Sequence, residues 1–393
     1  MPLTTKTIAV TVSLAGAAVA ALVAPDARAQ EVERFSLSGD VAVFNIAGNI
    51  TIERGNAAGV VIELTRGGGD AERLQIETGG LEGWQTLRVI YPEDRIVYPR
   101  LEGRSRTQFR VADDGTFGRE WSEDDDFPGL LDLIRLALTD RSTGRVTVTG
   151  SGSGLEAWAD LRVLVPAGQT VALHLGVGEV SASNIEGNLI VDARSAPVTA
   201  DNLRGTIRLA TGSGRIELRG AEGDVVLDTG SGSVRAANVS GNRLLIDTGS
   251  GGVTGSDLST GTVEIDTGSG AVEVTRVASD QITIDTGSGG IDVAAAQLGD
   301  VVIDTGSGSV NLDVQGQLRT ANIDTGSGGV TLTVPPDFGA VVDLDASSGG
   351  IHSDLPLQIT TLRRRSELRG TIGDGSAQVS IDTGSGTIRI RSR

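Results

Sequence analysis

One five-residue phrase, Asp-Thr-Gly-Ser-Gly, returns through the second half of the chain at an almost fixed interval. Its Asp stands at Asp228, Asp247, Asp266, Asp285, Asp304, Asp324 and Asp382. The first five lie 19 residues apart, the next step is 20, and the last is long. Ala210 and Asp345 head worn copies of the phrase. A period of about 20 residues marks stacked supersecondary units, each too small to bury a core by itself.

The residues around the phrase say what each unit is. The position before the Asp reads Leu227, Ile246, Ile265, Ile284, Ile303, Ile323, Leu344 and Ile381. Three before it stand Val225, Leu244, Val263, Ile282, Val301, Ala321, Val342 and Val379. Six after it stand Val234, Val253, Val272, Ile291, Val310, Val330, Ile351 and Ile388. Apolar columns two residues apart within a segment have strand periodicity. Each unit is therefore a strand ending at Asp-Thr, a Gly-Ser-Gly bend, a second strand and a return. His174 and Asp192 continue the Asp column upstream in steps of 18, so the regular array starts near residue 170. About eleven coils, stacked about 4.8 Å apart, make a rod roughly 50 Å long. Stacking also makes ladders of Asp, Thr and Ser. Carboxylates about 5 Å apart repel by roughly 0.8 kcal/mol per pair in a water-like dielectric. An Asp that accepts backbone N–H groups in its own bend would tolerate that cost, and alternation places the Thr inward if the Asp points out.

Composition fits thin coils and not a thick globular core: Gly contributes 56 of 393 residues, aromatics 3%, and Met one. A net charge of −18 argues against a nucleic-acid partner. There is no Cys, so neither disulfides nor a lipid-bearing Cys are available. Residues 1–29 read as a secretory signal, with Lys6, an apolar run from Ile8 to Val23, and Ala27-Arg28-Ala29 before a mature start near Gln30. No second long apolar segment follows, so the exported product has no membrane-spanning helix. The expected locations are periplasm or cell surface.

Residues 30–98 read as less regular β coils capping the same stack, with Val41-Ala42-Val43-Phe44 and Val60-Val61-Ile62-Glu63-Leu64 among the strand runs. Residues 99–145 read as an acidic insertion containing Glu123-Asp124-Asp125-Asp126 and a short helix over Pro128–Leu138. Residues 146–393 are the repeat array. It is interrupted at 353–376, where Arg363, Arg364, Arg365 and Arg369 gather as a local basic patch.

The motifs suggest chemistry that their arrangement withholds. Asp-Thr-Gly-Ser resembles the catalytic loop of aspartic proteases, in which two such loops face each other and share a proton. Here the copies stack in a row and never face. One Asp per coil is sparse for a Ca²⁺ site needing six or more oxygen ligands. His174 and His352 lie many coils apart and cannot form a metal pair. The outward column seven after the Asp reads Thr199, Glu217, Arg235, Thr254, Glu273, Asp292, Asn311, Thr331, His352 and Arg389, with no acid–base cluster of the kind a β-helix polysaccharide lyase or hydrolase needs. A flat Thr template of the ice-binding kind is disfavoured, because the regular Thr points inward. Trp84, Trp121 and Trp158 read as packing residues and not as a sugar platform. No catalytic, cofactor-binding or metal-binding residue is assigned, and no cofactor.

The coils, with returns such as Gly223-Asp224 and Gly241-Asn242, resemble the bacterial putative-adhesin β-strand-repeat family of unknown function. The stretch Gly370–Gly375 followed by Val379–Ile388 looks like that family's final coil. The resemblance covers residues 35–95 loosely and 146–393 well. It implies an all-β solenoid in an exported or envelope protein, without catalytic residues. The expectation is a cell-envelope structural or interaction module whose partner is an envelope protein or a glycan. The alternatives are a carbohydrate-active β-helix enzyme and a periplasmic scaffold or stress-sensing partner.

Overall fold

In the computed structural model, residues 31–81, 83–101, 105–118, 143–364 and 366–393 are described. Val32–Arg393 forms one unit, built around a sheet of 23 strands with a second sheet of four. The architecture is the all-β solenoid read from the repeats. Each regular coil is one long bent strand, such as Val234–Thr248, Val253–Thr267, Val272–Thr286 and Ile291–Thr305, paired parallel and in register with the coils above and below. The Asp column pairs residue on residue, Asp228 with Asp247, then Asp266, Asp285, Asp304 and Asp324. Inside, the apolar columns form one continuous core. Val263, Ile265, Ile282, Ile284, Val301 and Ile303 are all buried.

Three corners close a coil. The first is the Gly-Ser-Gly bend. The second is a single residue in the left-handed region, at Asn184, Asn202, Gly220, Asn238, Asp257, Arg276 and Ala295, with φ of 53–56° at the non-glycine positions. The third is the return, at Gly187, Gly205, Gly223 and Gly241 in the early coils. These glycines have φ of 123–148°, and each of the last three sits against the carbonyl of the one before. The register shifts by one residue between Glu222 and Val225, where the repeat lengthens from 18 to 19 residues.

Both ends depart from sequence order. At the start, Val41–Arg54 lies directly on Gln169–Ser183, parallel along its length. Beneath it, Trp84–Ile90 pairs with its first half and Trp158–Val165 with its second. Antiparallel partners then cover these: Gln75–Leu81 on Trp84–Ile90, and Val60–Gly67 followed by Val32–Leu37 on Trp158–Val165. Such antiparallel layers end a parallel stack without leaving the coil edges open.

At the far end, the coils do not follow one another. Ala377–Thr383 and Ile388–Ser392, the last in sequence, insert between the coil of Thr320–Val334 and that of Ala340–Ser353. Strand Ala340–Asp345 is then covered on its other side by Glu367–Ile372, and that strand by Leu357–Arg364, both antiparallel. Residues 353–376, read as an interruption, are thus the terminal cover. The final coil in sequence is an inner coil in space.

Within 99–145, the described residues include Arg106–Ala112 and the beginning of Thr143–Thr149, strands of the four-stranded sheet with Arg95–Val97 and Leu155–Glu156. The acidic run, the short helix expected over Pro128–Leu138, Trp121 and the signal at 1–29 lie outside the described residues. Among the described residues no helix is long and apolar enough to cross a membrane.

Candidate functional surface

The bend corner is where the repeated phrase acts, and its key residue is Thr. Thr211, Thr229, Thr248, Thr267, Thr286, Thr305, Thr325 and Thr383 are all buried. From Thr229 onward each hydroxyl donates to a glycine carbonyl in the adjacent bend, at 2.8–3.2 Å. Each also accepts the amide of the second Gly of its own bend, at 2.9–3.1 Å. The Asp was expected to bond the bend amide. The Thr hydroxyl does so instead, because it points inward where that amide is buried. Asp bonding of this kind is seen in worn or end segments, where Asp345 accepts from Ser347 N at 2.8 Å and Asp374 from Ser376 N at 3.0 Å.

The Asp row faces outward from Asp247 to Asp382. Partial burial, then the neighbouring Asp285 and Glu264, hold the Asp266 carboxyl above the ordinary range. Asp382 is raised likewise, by burial and then by Asp324 and Asp345. Among the described residues there is no group of three or more His, Cys, Asp or Glu side chains able to hold a metal ion.

Upstream, the same column is covered. His174 and Asp192 are buried, with His174 Nδ1 3.5 Å from Asp192 Oδ2. The imidazole stacks on Phe44, ring centres 4.4 Å apart, and Phe117 meets it edge-on. His174 is thus a core residue. His352 lies at the opposite end, exposed, in register with Arg389.

The remaining sequence candidates are brought into rows without forming a reactive cluster. The outward column runs in register from Thr199 through Glu217, Arg235, Thr254, Glu273 and Asp292 to Asn311, whose amide donates to Asp292 at 2.6 Å. Trp84 is buried. Trp158 packs edge-on against Tyr98 with Arg100 over its ring, so neither indole offers a free face for a sugar. Arg369 of the basic patch pairs with Asp343 at 2.7 Å.

Sequence reading missed the left-handed corner. Its signal was a column of Asn and Gly at Asn184, Asn202, Gly220 and Asn238, the residue types that enter this region most readily. Between that corner and the return the surface carries a shallow trough. One hollow of about 710 Å³ is lined by residues from Arg54 to Ser240. The next, about 560 Å³, begins at Gly241 and runs to Arg319.

Among solved structures, a putative cell adhesion protein from Clostridium sporogenes aligns over 93% of this chain and 100% of its own, at 10% identity and a TM-score of 0.16. No curated protein matches the chain. The family model described as Toastrack DUF4097 matches twice, over residues 135–322 and 224–391, spanning the regular coils and the far end. The chain belongs to the Toastrack DUF4097 family.

Proposed function

We propose that this protein is an exported, non-catalytic interaction module of the cell envelope, adhesin-like in presenting one stiff surface many times over. The observation that carries the reading is the in-register stack. From Val198 to Thr305 each exposed position recurs coil after coil on a continuous parallel sheet. A partner with its own repeat meets many equivalent weak contacts, and their sum gives avidity without any single deep pocket. The reading of residues 1–29 as a secretory signal is consistent with it.

Fractionation of cells carrying the tagged full chain tests the proposal, together with protease treatment of intact cells. Recovery in the envelope or medium, with residues 1–29 removed, is the expected result. A chain that stays in the cytoplasm with residues 1–29 intact would sink it.

A further inference from the structure

The trough between the left-handed corner and the return has a chemistry of its own. Its floor is buried, Ile185, Leu203 and Ala221 in the first hollow and Thr260, Ser279 and Leu298 in the second, so no apolar pocket opens into it. Its walls carry amides and hydroxyls, among them Asn184, Asn202, Asn238, Ser240, Ser259 and Gln297. The charged residues lining the two hollows are Arg54, Arg204 and Arg319 against Glu186, Glu222 and Asp280, three of each sign. They also meet one another or a neighbour. Arg54 lies 3.7 Å from Glu186, Arg204 2.6 Å from Glu222, and Arg319 2.7 Å from Asp300. A chain of net charge −18 therefore has a trough whose lining sums to zero.

We propose that this trough binds an uncharged, hydroxyl-rich polymer, the chain of a neutral glycan. An anionic polymer finds no unpaired cationic row there and is repelled by the rest of the molecule. An extended peptide would need a free strand edge or pockets for alternate side chains. Backbone groups at the corner are already spent between coils: Asn184 N donates to Asp201 O, and Arg204 N donates to Ile185 O. The side-chain amides and hydroxyls bond in part within the trough, Asn202 donating to Asn184 at 2.7 Å and Ser240 to the Ala221 carbonyl at 3.4 Å, but each has further donor or acceptor capacity, and together they donate and accept as sugar hydroxyls do. From the coil of Asn184 to that of Gly316 the trough is roughly 34 Å long, at about 4.8 Å per coil. Affinity then grows with glycan length until the ligand spans both hollows. This inference rests on the envelope-module reading for where such a glycan is met, and names its partner class.

Affinity electrophoresis of the purified full chain tests it, in native gels containing hydroxyethyl cellulose, laminarin, dextran or, as an anionic comparison, alginate. Retardation in at least one neutral gel is expected, with at least a tenfold loss of affinity in Ser259→Trp/Gln297→Trp, which fills the second hollow. Gln297→Trp alone should show a smaller loss in the same direction. Ser250→Trp, on the bend corner, should bind as the parent does, and matching thermal melts certify that each variant is folded. No retardation in any neutral gel, retardation by alginate alone, or binding that survives the folded trough variants would each overturn the proposal. Fractionation decides the envelope reading separately, whatever the gels show.

Discussion

At the bend corner nearly every coil carries the same residues, whereas the left-handed corner carries Asn, Asn, Gly, Asn, Asp, Arg and Ala in turn. Both corners reverse the chain, but under different constraints. At the bend, successive backbones touch. A Cβ on Gly251, Gly270, Gly289 or Gly308 would sit 1.7–1.9 Å from a carbonyl oxygen of the adjacent coil. Those carbonyls, of Gly232, Gly251, Gly270 and Gly289, also accept the buried Thr hydroxyls. Nothing but Gly fits, and nothing but a small hydroxyl residue completes the bonds. The left-handed corner asks only for one backbone angle at the surface, and several residue types meet that at modest cost. Repetition in sequence therefore tracks burial of backbone polar groups, and the freer corner is where side chains vary over the trough.

The comparison breaks most visibly at the second bend glycine. Gly270→Ala must push two coils apart, and a loss of about 3 kcal/mol or more is expected in urea denaturation. Thr267→Val comes next. It strands the Gly270 amide and takes a donor from the Gly251 carbonyl, at about 1–3 kcal/mol for each group left unmade. Thr267→Ser, which keeps the hydroxyl, should recover most of that loss in the same melts. At the freer corner the sign reverses. Ala295 has φ 55°, and Ala295→Gly should stabilise by about 0.5–1 kcal/mol, the left-handed penalty less the chain entropy of Gly.

The smallest effect is electrostatic. Asp266 and Asp382 have raised folded-state pKa values, so the folded state holds their protons more tightly than the unfolded one. The stability this gives is full below the unfolded value and lost as pH rises through the folded value. Asp257 and Asp300 are lowered by hydrogen bonds from Arg276 and Arg319, and their contribution is lost as pH falls through their lowered values. The melting temperature should therefore rise from neutral to mildly acid pH and fall again at lower pH. Asp266→Asn should flatten the rise and stabilise at neutral pH by on the order of 0.8 kcal/mol, and salt should remove the part owed to the neighbouring carboxylates while the part owed to burial stays.

Much of the fold was legible because a solenoid writes its geometry once per coil. The columns ending in Ile265, Ile284 and Ile303 gave the strand, its inward face and its parallel register together. The bend was legible, but the work of Asp and Thr within it was exchanged. Sequence shows that both can bond a backbone amide, and only the pleat decides which one faces a buried amide. The ends were less legible. Val41–Arg54 and Ile388–Ser392 pair with coils distant in sequence, and no periodicity records which edge a strand joins. The trough was illegible for another reason: its walls come from a corner whose residues differ from coil to coil, so no column announced it.

The placement of the last residues also sets an order of assembly. The coil of Ala340–Ser353 has no parallel neighbour until Ala377–Ser392 slides in beside it. The regular coils from Gln169 to Val334 can each settle on their predecessor as they emerge, but this one must wait for residues 377–392. The stack is therefore closed by its own tail, like a row of books held by a volume pushed in one place before the last. Coils can be gained or lost by duplication in the interior without disturbing that closure, so the rod can change length only between its two fixed covers.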